Sequence, residues 1–184
     1  MKLLLLNLLL SCTAFLPAQE KEGTAPVQIE TLKNGALLVG LKTGALQAKA
    51  LDKGAAAYLL KVEAENKNII AAFRKNYHFS PVYFFYTSSA EQVKAHTLKN
   101  CLLNDQLKQD TTITPVPAHY LIAEFGSSEE QSIEGLLMMD DQLRQLKPPF
   151  PFLIRKYSGV AAKLTPEQMV AKLNKALEEY YNKR

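Results

Sequence analysis

The sequence predicts an α/β fold: a small single-domain mixed sheet flanked by helices, with a long helical region after the first strand and a C-terminal helix. Three patterns predict it. The runs ALLVGLKT at 36–43 and VYFFYTS at 82–88 are short, apolar and bounded by turn residues, which is strand character. Between them, residues 45–77 lack proline and are rich in Ala, Leu, Lys and Glu, a helical composition. The chain ends on a helical pattern opened by Thr165-Pro166-Glu167-Gln168, which supplies an N-cap, a first-turn proline and a capping-box glutamine.

The N-terminus reads MKLLLLNLLLSCTAFLPAQEKEG. Lys2 followed by seven leucines between Leu3 and Leu10 has the layout of a secretory signal. The apolar stretch through Leu16 is roughly 14 residues, short of the ~20 that span a bilayer core. No later segment is apolar enough to span, so no transmembrane segment is expected in the mature chain. Residues 1–19 are therefore expected to be a signal peptide, cut near Pro17-Ala18-Gln19. In a competing route, Leu9-Leu10-Ser11-Cys12 resembles a bacterial lipobox, and Cys12 is a candidate lipid-attachment residue. The Ala-Gln ending resembles export signals of the Bacteroidota. The expected location is periplasmic or secreted, or lipid-anchored to a bacterial envelope membrane if Cys12 is acylated.

Residues 20–34 are polar and read as a tether or edge segment, with 35–184 as one α/β domain and Asn34-Gly35 as a turn. Tyr58, Leu59, Val62, Ile69, Ile70, Phe73 and Tyr77 broadly follow helical spacing, and Gly54 is expected to split or bend that region. Pro81 ends it. Ser88 with Glu91, or Ser89 with Gln92, forms a capping box that predicts a helix over 90–98. Residues 101–105 (CLLND) read as a short strand, and 106–118 as a loop pinned by Pro115 and Pro117. HYLIAEFG (119–126) and IEGLLMMD (133–140) predict two strands joined as an antiparallel hairpin. Pro151 confines any strand within 147–157 to a sheet edge or its own first residue. In the last helix Met169, Val170, Leu173, Ala176, Leu177, Tyr180 and Tyr181 recur at three- and four-residue spacing, and Lys183 and Arg184 complement the helix dipole. No internal repeat and no low-complexity tract is detected.

Three of these segments together are similar to a thioredoxin-like fold: VYFFYTSSAEQVKAH resembles its strand-to-helix redox turn, TPVPAHYLIAEFG its proline-then-strand segment, and TPEQMVAKLNKAL its last helix. They cover about half of the chain. The turn Thr87-Ser88-Ser89-Ala90-Glu91-Gln92 holds no cysteine, Cys101 lies well beyond it, and 106–116 is too polar and short for a second helix. The resemblance thus implies a scaffold without thiol–disulfide chemistry.

Composition narrows the function. With 47% hydrophobic and 22% charged residues the chain is globular rather than disordered. Removing residues 1–19 leaves 165, enough for one domain with a core. The mature chain then carries 21 basic and 18 acidic residues, spread without a basic stripe, which argues against nucleic acid as a partner. If Cys12 is lost, Cys101 is the only cysteine, so no internal disulfide forms.

Candidate chemistry is sparse. Cys101 is a thiol candidate, with Lys99 or His96 to assist it, set against a reading as a small buried hydrophobe. His78, His96 and His119 are weighed with Asp105 or Glu124 as metal ligands, but they show neither i, i+4 pairing nor an HExxH pattern. His119 and Glu124, five apart, point to opposite faces of an unbroken strand. Asp140-Asp141, with Asp105, read as a cation or acid/base site or as ordinary turn caps. Gly35, Gly40 and Gly44 are too widely spaced for a phosphate loop, and no serine sits in a GxSxG elbow. No catalytic, cofactor-binding or metal residue is assigned, and no cofactor is expected. In Pro148-Pro149-Phe150-Pro151-Phe152, Phe150 and Phe152 form a candidate partner surface, the alternative being two rings that cover the core. The expected function is a non-enzymatic binding or interaction module of the cell envelope, its partner an unidentified protein or small ligand. The alternative is a redox or thiol-dependent enzyme of thioredoxin-like descent using Cys101.

Overall fold

The first strand, β1 (Ala36–Leu41), is buried at every position. A strand apolar on both faces belongs inside a parallel sheet, and β1 lies between two parallel neighbours, β2 (Val82–Tyr86) and β4 (Tyr120–Ser127). Outside β2 comes the short antiparallel β3 (Leu102–Leu103). Outside β4 come β5 (Glu134–Met139) and β6 (Leu153–Arg155), also antiparallel, which gives the order β3-β2-β1-β4-β5-β6. A separate pair, β7 (Tyr157–Ser158) and β8 (Ala162–Lys163), forms a second sheet. Pro151 precedes β6, which lies at the sheet edge as expected. This computed structural model describes residues 24–51, 53–114, 117–128, 132–158 and 162–183; the expected signal peptide and Cys12 lie outside them.

Alternation along the strands divides the interior in two. On one face Leu37, Val39, Leu41, Phe84, Leu121, Ala123, Leu136 and Met138 pack beneath α1 (Ala25–Asn34), α3 (Ala55–Asn76) and α5 (Pro166–Asn182). On the other, Ala36, Leu38, Phe85, Tyr120, Ile122 and Met139 pack beneath Val93, Leu98, Cys101 and Leu102. Val93 belongs to the five-residue helix α4 (Ala90–Lys94), so this cover is shallow.

Two local signals act as expected, Gly54 within the long helical region and the capping sequence of α5. Gly54, at φ 90°, takes the left-handed backbone open to glycine and separates α2 (Ala45–Lys49) from α3. Thr165 and Gln168 form the reciprocal capping box of α5, with Pro166 in its first turn. Midway along α5, the Asn174 Oδ1 accepts the backbone N–H groups of His78 (2.8 Å) and Phe79 (3.1 Å), satisfying the chain where it leaves α3. The helix expected over 90–98 is shorter: α4 ends at Lys94, and His96 adopts φ 55° before a 3₁₀ turn at Leu98–Asn100. Among the described residues no helix is long and apolar enough to cross a membrane.

The expectation of a polar tether or edge segment over 20–34 is corrected for residues 25–34, residues 20–23 lying outside the described residues. Residues 25–34 fold as α1, whose Ile29 and Leu32 are fully buried against the sheet. Pro26 sits in the first turn, where its missing N–H costs nothing, and so starts this helix instead of breaking it. Ile29→Ala is expected to lower unfolding stability in denaturant titration by about 2–5 kcal/mol. A tether residue would leave it within about 0.5 kcal/mol.

Candidate functional site

Two stretches match position for position: Leu102-Leu103-Asn104-Asp105-Gln106-Leu107-Lys108-Gln109 and Met138-Met139-Asp140-Asp141-Gln142-Leu143-Arg144-Gln145. Four of the eight positions are identical and the other four exchange like for like. The expectation of no internal repeat is therefore corrected. Both copies fold into one turn. The Asn104 Oδ1 accepts the backbone N–H of Gln106 (3.0 Å) and Lys108 (3.1 Å); the Asp140 Oδ1 accepts those of Gln142 and Arg144 (both 2.9 Å). Short polar side chains that cap their own backbone are what such turns require, so the first position is Asn or Asp. The fourth residue is left-handed in both, Leu107 at φ 62° and Leu143 at φ 61°. A side chain there costs roughly 1–2 kcal/mol. Both leucines offset it by packing inward, Leu107 into the core beneath α3 and α5 and Leu143 against the opposite one.

Because β3 and β5 both run antiparallel to the central strands, both turns hang from the same sheet edge, where the parallel strands begin. Four strand spacings separate them, about 19 Å. Each turn lines an open cleft. The first, of 540 Å³, is walled by Asn104, Asp105 and Gln106 with Arg74, Pro81 and Tyr83. The second, of 880 Å³, is walled by Asp140, Asp141 and Arg144 with Thr24, Gln28 and His119.

The repeated aspartate ties each turn to a neighbouring segment. The Asp105 Oδ1 accepts from Arg74 Nε (3.1 Å) and Nη2 (2.8 Å), while Asp141 Oδ2 lies 3.1 Å from His96 Nε2. Both pairs are partly exposed, so each is worth about 0–1 kcal/mol. The His96 ring also rests 5.1 Å from that of Tyr120, whose hydroxyl donates to Val93 O at 2.6 Å. Burial first, and then the charges of Asp141 and Cys101, push that hydroxyl up to about 12.

The residues singled out in the sequence are mostly dispersed. Cys101 is 2% exposed, its Sγ donates to Leu98 O at 3.4 Å, and burial pushes the thiol up. A reactive thiol needs the reverse of both conditions; of the two readings of Cys101, its burial is that of the small buried hydrophobe. Phe150 and Phe152 are likewise not a free partner surface. Met138 donates its N–H to Phe152 O (2.8 Å), drawing the segment onto the sheet. Phe150 is 2% exposed against Tyr180, and the half-buried Phe152 packs on the same core. His96 bonds Asp141 and His119 lines the same cleft as that aspartate, but among the described residues no three His, Cys, Asp or Glu are grouped to hold a metal. Asp140 and Asp105 serve the two turns.

No protein-family model, curated protein or solved structure significantly matches the chain.

In a Cys12→Ser chain, a maleimide reagent is expected to label Cys101 only after denaturant is added. Rapid labelling of the native protein would contradict the burial of the thiol.

Proposed function

We propose that the chain is an exported cell-envelope protein, non-enzymatic, that binds a partner protein along the edge bearing the two matched turns. One observation carries this reading: a copy of the same turn lines each of two open clefts on one edge. The fold explains the capping Asn or Asp and the inward leucine. It does not require Gln106 and Lys108, both exposed; in the other copy the equally exposed Arg144 and Gln142 also serve the fold, Arg144 Nε donating to Asp140 Oδ2 (2.7 Å) and Gln142 to Lys94 O (3.4 Å). Matched donors and cations about 19 Å apart exceed the reach of a small molecule and suit two-point contact with a macromolecule, where the second contact follows the first at high effective concentration.

Export rests on Lys2 and the leucines after it. Location follows from processing: periplasmic or secreted after cleavage near Gln19, lipid-anchored if Cys12 is the acylated first residue. A thioredoxin-like scaffold is compatible with this role, since the turn at 87–92 contains no cysteine. No observation favours a redox enzyme working through the buried Cys101.

Photo-crosslinking residues placed separately at Gln106, Gln142 and the exposed Lys49, in a bacterial host that processes the chain, test the reading. One partner band is expected from positions 106 and 142 and none from 49, with the intact mass showing a chain that begins near Gln19 or at an acylated Cys12. Adducts no stronger at the turns than at Lys49, or a chain that keeps Met1 in the cytoplasm, would sink it.

A further inference from the structure

The long helix outruns the strands it joins. Its 22 residues make α3 about 33 Å long, whereas β1 and β2, with six and five residues, each span about 20 Å or less. The excess lies at the start of the helix. Its buried side chains are Val62, Asn66, Ile70, Ala72 and Phe73, and no residue from Ala55 to Lys61 is buried. Gly44 marks where contact with the body begins, since a Cβ on it would stand 3.1 Å from Val62 Cγ2 and 3.2 Å from Tyr58 Cε1. The first two turns of α3, about 10 Å, thus run past the packed interior at the carboxyl end of β1.

This projecting end is apolar. Among the described residues five large apolar or aromatic side chains are exposed, and three of them fall within ten residues here: Leu51 (42%), Leu59 (40%) and Leu60 (68%). Leu51 lies three residues before Gly54, within about 10 Å of the helix start. Leu59 keeps helical spacing with Val62, Asn66 and Phe73, so it continues the core stripe beyond the point where the sheet covers it. Leu60 is turned away from that stripe, into solvent. Single exposed leucines are ordinary, whereas a cluster of them marks a surface that meets something else.

The charge around the leucines is mainly of one sign. Residues 42–61 hold Lys42, Lys49, Lys53 and Lys61 against Asp52 alone. Lys49 and Lys53 are exposed and make no ion pair with a described residue. Acidic side chains return further along α3, and those are engaged: Glu63 with Lys67 at 2.6 Å and Glu65 with Lys61 at 4.0 Å. A second copy of the chain seated here would bring like charges together, which disfavours it as the occupant. Exposed leucines among lysines suit the interface of an anionic bilayer, where apolar insertion and attraction to the headgroups act together.

We propose that the projecting start of α3 docks on a bilayer surface containing anionic phospholipid, with Leu51, Leu59 and Leu60 entering the interface and Lys49 and Lys53 meeting the headgroups. The docking is peripheral, since among the described residues no helix is long and apolar enough to cross. This surface is independent of the matched turns. Those hang from the sheet edge where the parallel strands begin, and α3 starts at the opposite edge. A domain seated in this way holds both turns away from the lipid.

The test is co-sedimentation of the processed Cys12→Ser chain, which carries no acyl group, with vesicles of phosphatidylcholine or of its equimolar mixture with phosphatidylglycerol. Binding is expected to be about tenfold or more tighter to the anionic vesicles at low salt, and to weaken as salt screens the lysines. The double variant Leu59→Ser/Leu60→Ser is expected to bind about tenfold or more weakly. Val27→Ser removes an exposed side chain at the opposite end and is expected to bind as the parent does. Failure to sediment with anionic vesicles, equal binding to neutral ones, or binding that survives the double substitution overturns the site. So does a vesicle-free dimer that the double substitution dissolves, which would assign the leucines to a second copy. The chain has no tryptophan, so Leu60→Trp supplies a single indole that reports insertion directly. Its emission is expected to shift to the blue with anionic vesicles, and that of Val27→Trp to stay unchanged. An unshifted indole at position 60 in a chain that sediments would reduce docking to surface charge and defeat the proposal.

Discussion

The complete burial of β1 is the constraint on which the rest of the structure depends. Leu37, Leu38, Val39 and Leu41 have no measurable exposure, so both sheet faces over β1 must be covered and both of its hydrogen-bonding edges paired. Parallel partners on the two sides require long connections, and these connections bring the cover: α3 with α1 and α5 over one face, α4 and the residues around Leu98 over the other. The cover is unequal. Helices of ten or more residues shield the first face, whereas α4 has only five. At Gly40, where β1 presents no side chain, Thr87, Phe85 and Glu124 close in from the neighbouring strands.

The antiparallel strands added outside β2 and β4 carry the second organising feature. Each ends in the same capped turn, and each turn spends strain on a left-handed leucine that burial offsets. The anchors differ: the guanidinium of Arg74 holds Asp105, and the imidazole of His96 holds Asp141. Structural demand accounts for the Asn or Asp, the leucine and the aspartate that is tied down. It leaves the exposed Gln106 and Lys108 without a structural account, whereas Arg144 is bound to Asp140 and Gln142 to Lys94 O.

Much of the fold was legible because local signals agreed with the global arrangement. The apolar runs gave β1 and β2, the hairpin of β4 and β5 followed from its two strands, and Thr165-Pro166-Glu167-Gln168 marked the start of α5 at Pro166. Where sequence and fold disagree, one local cue points away from the packing. Pro26 and the polar setting concealed α1, whose apolar side is only Ala25, Ile29 and Leu32. Prolines around Phe150 suggested an exposed extended segment, although the hydrogen bond from Met138 turns that segment inward. The repeated turn is short, half identical, and its copies lie 36 residues apart. Each copy straddles the end of a strand and the turn that follows, so no single element's pattern contains it. Aligning the chain with itself would have found it.

Native-state hydrogen exchange across β1 tests the central claim most directly. The amides of Leu38 to Leu41 are expected to exchange only through global unfolding, with the same opening free energy as the central amides of β2 and β4 and of Ile29 and Leu32 in α1. The exposed turns at 104–108 and 140–144 should exchange through smaller openings. If the β1 amides exchange through local opening well below the global unfolding free energy, the fully buried strand is not what holds this fold together.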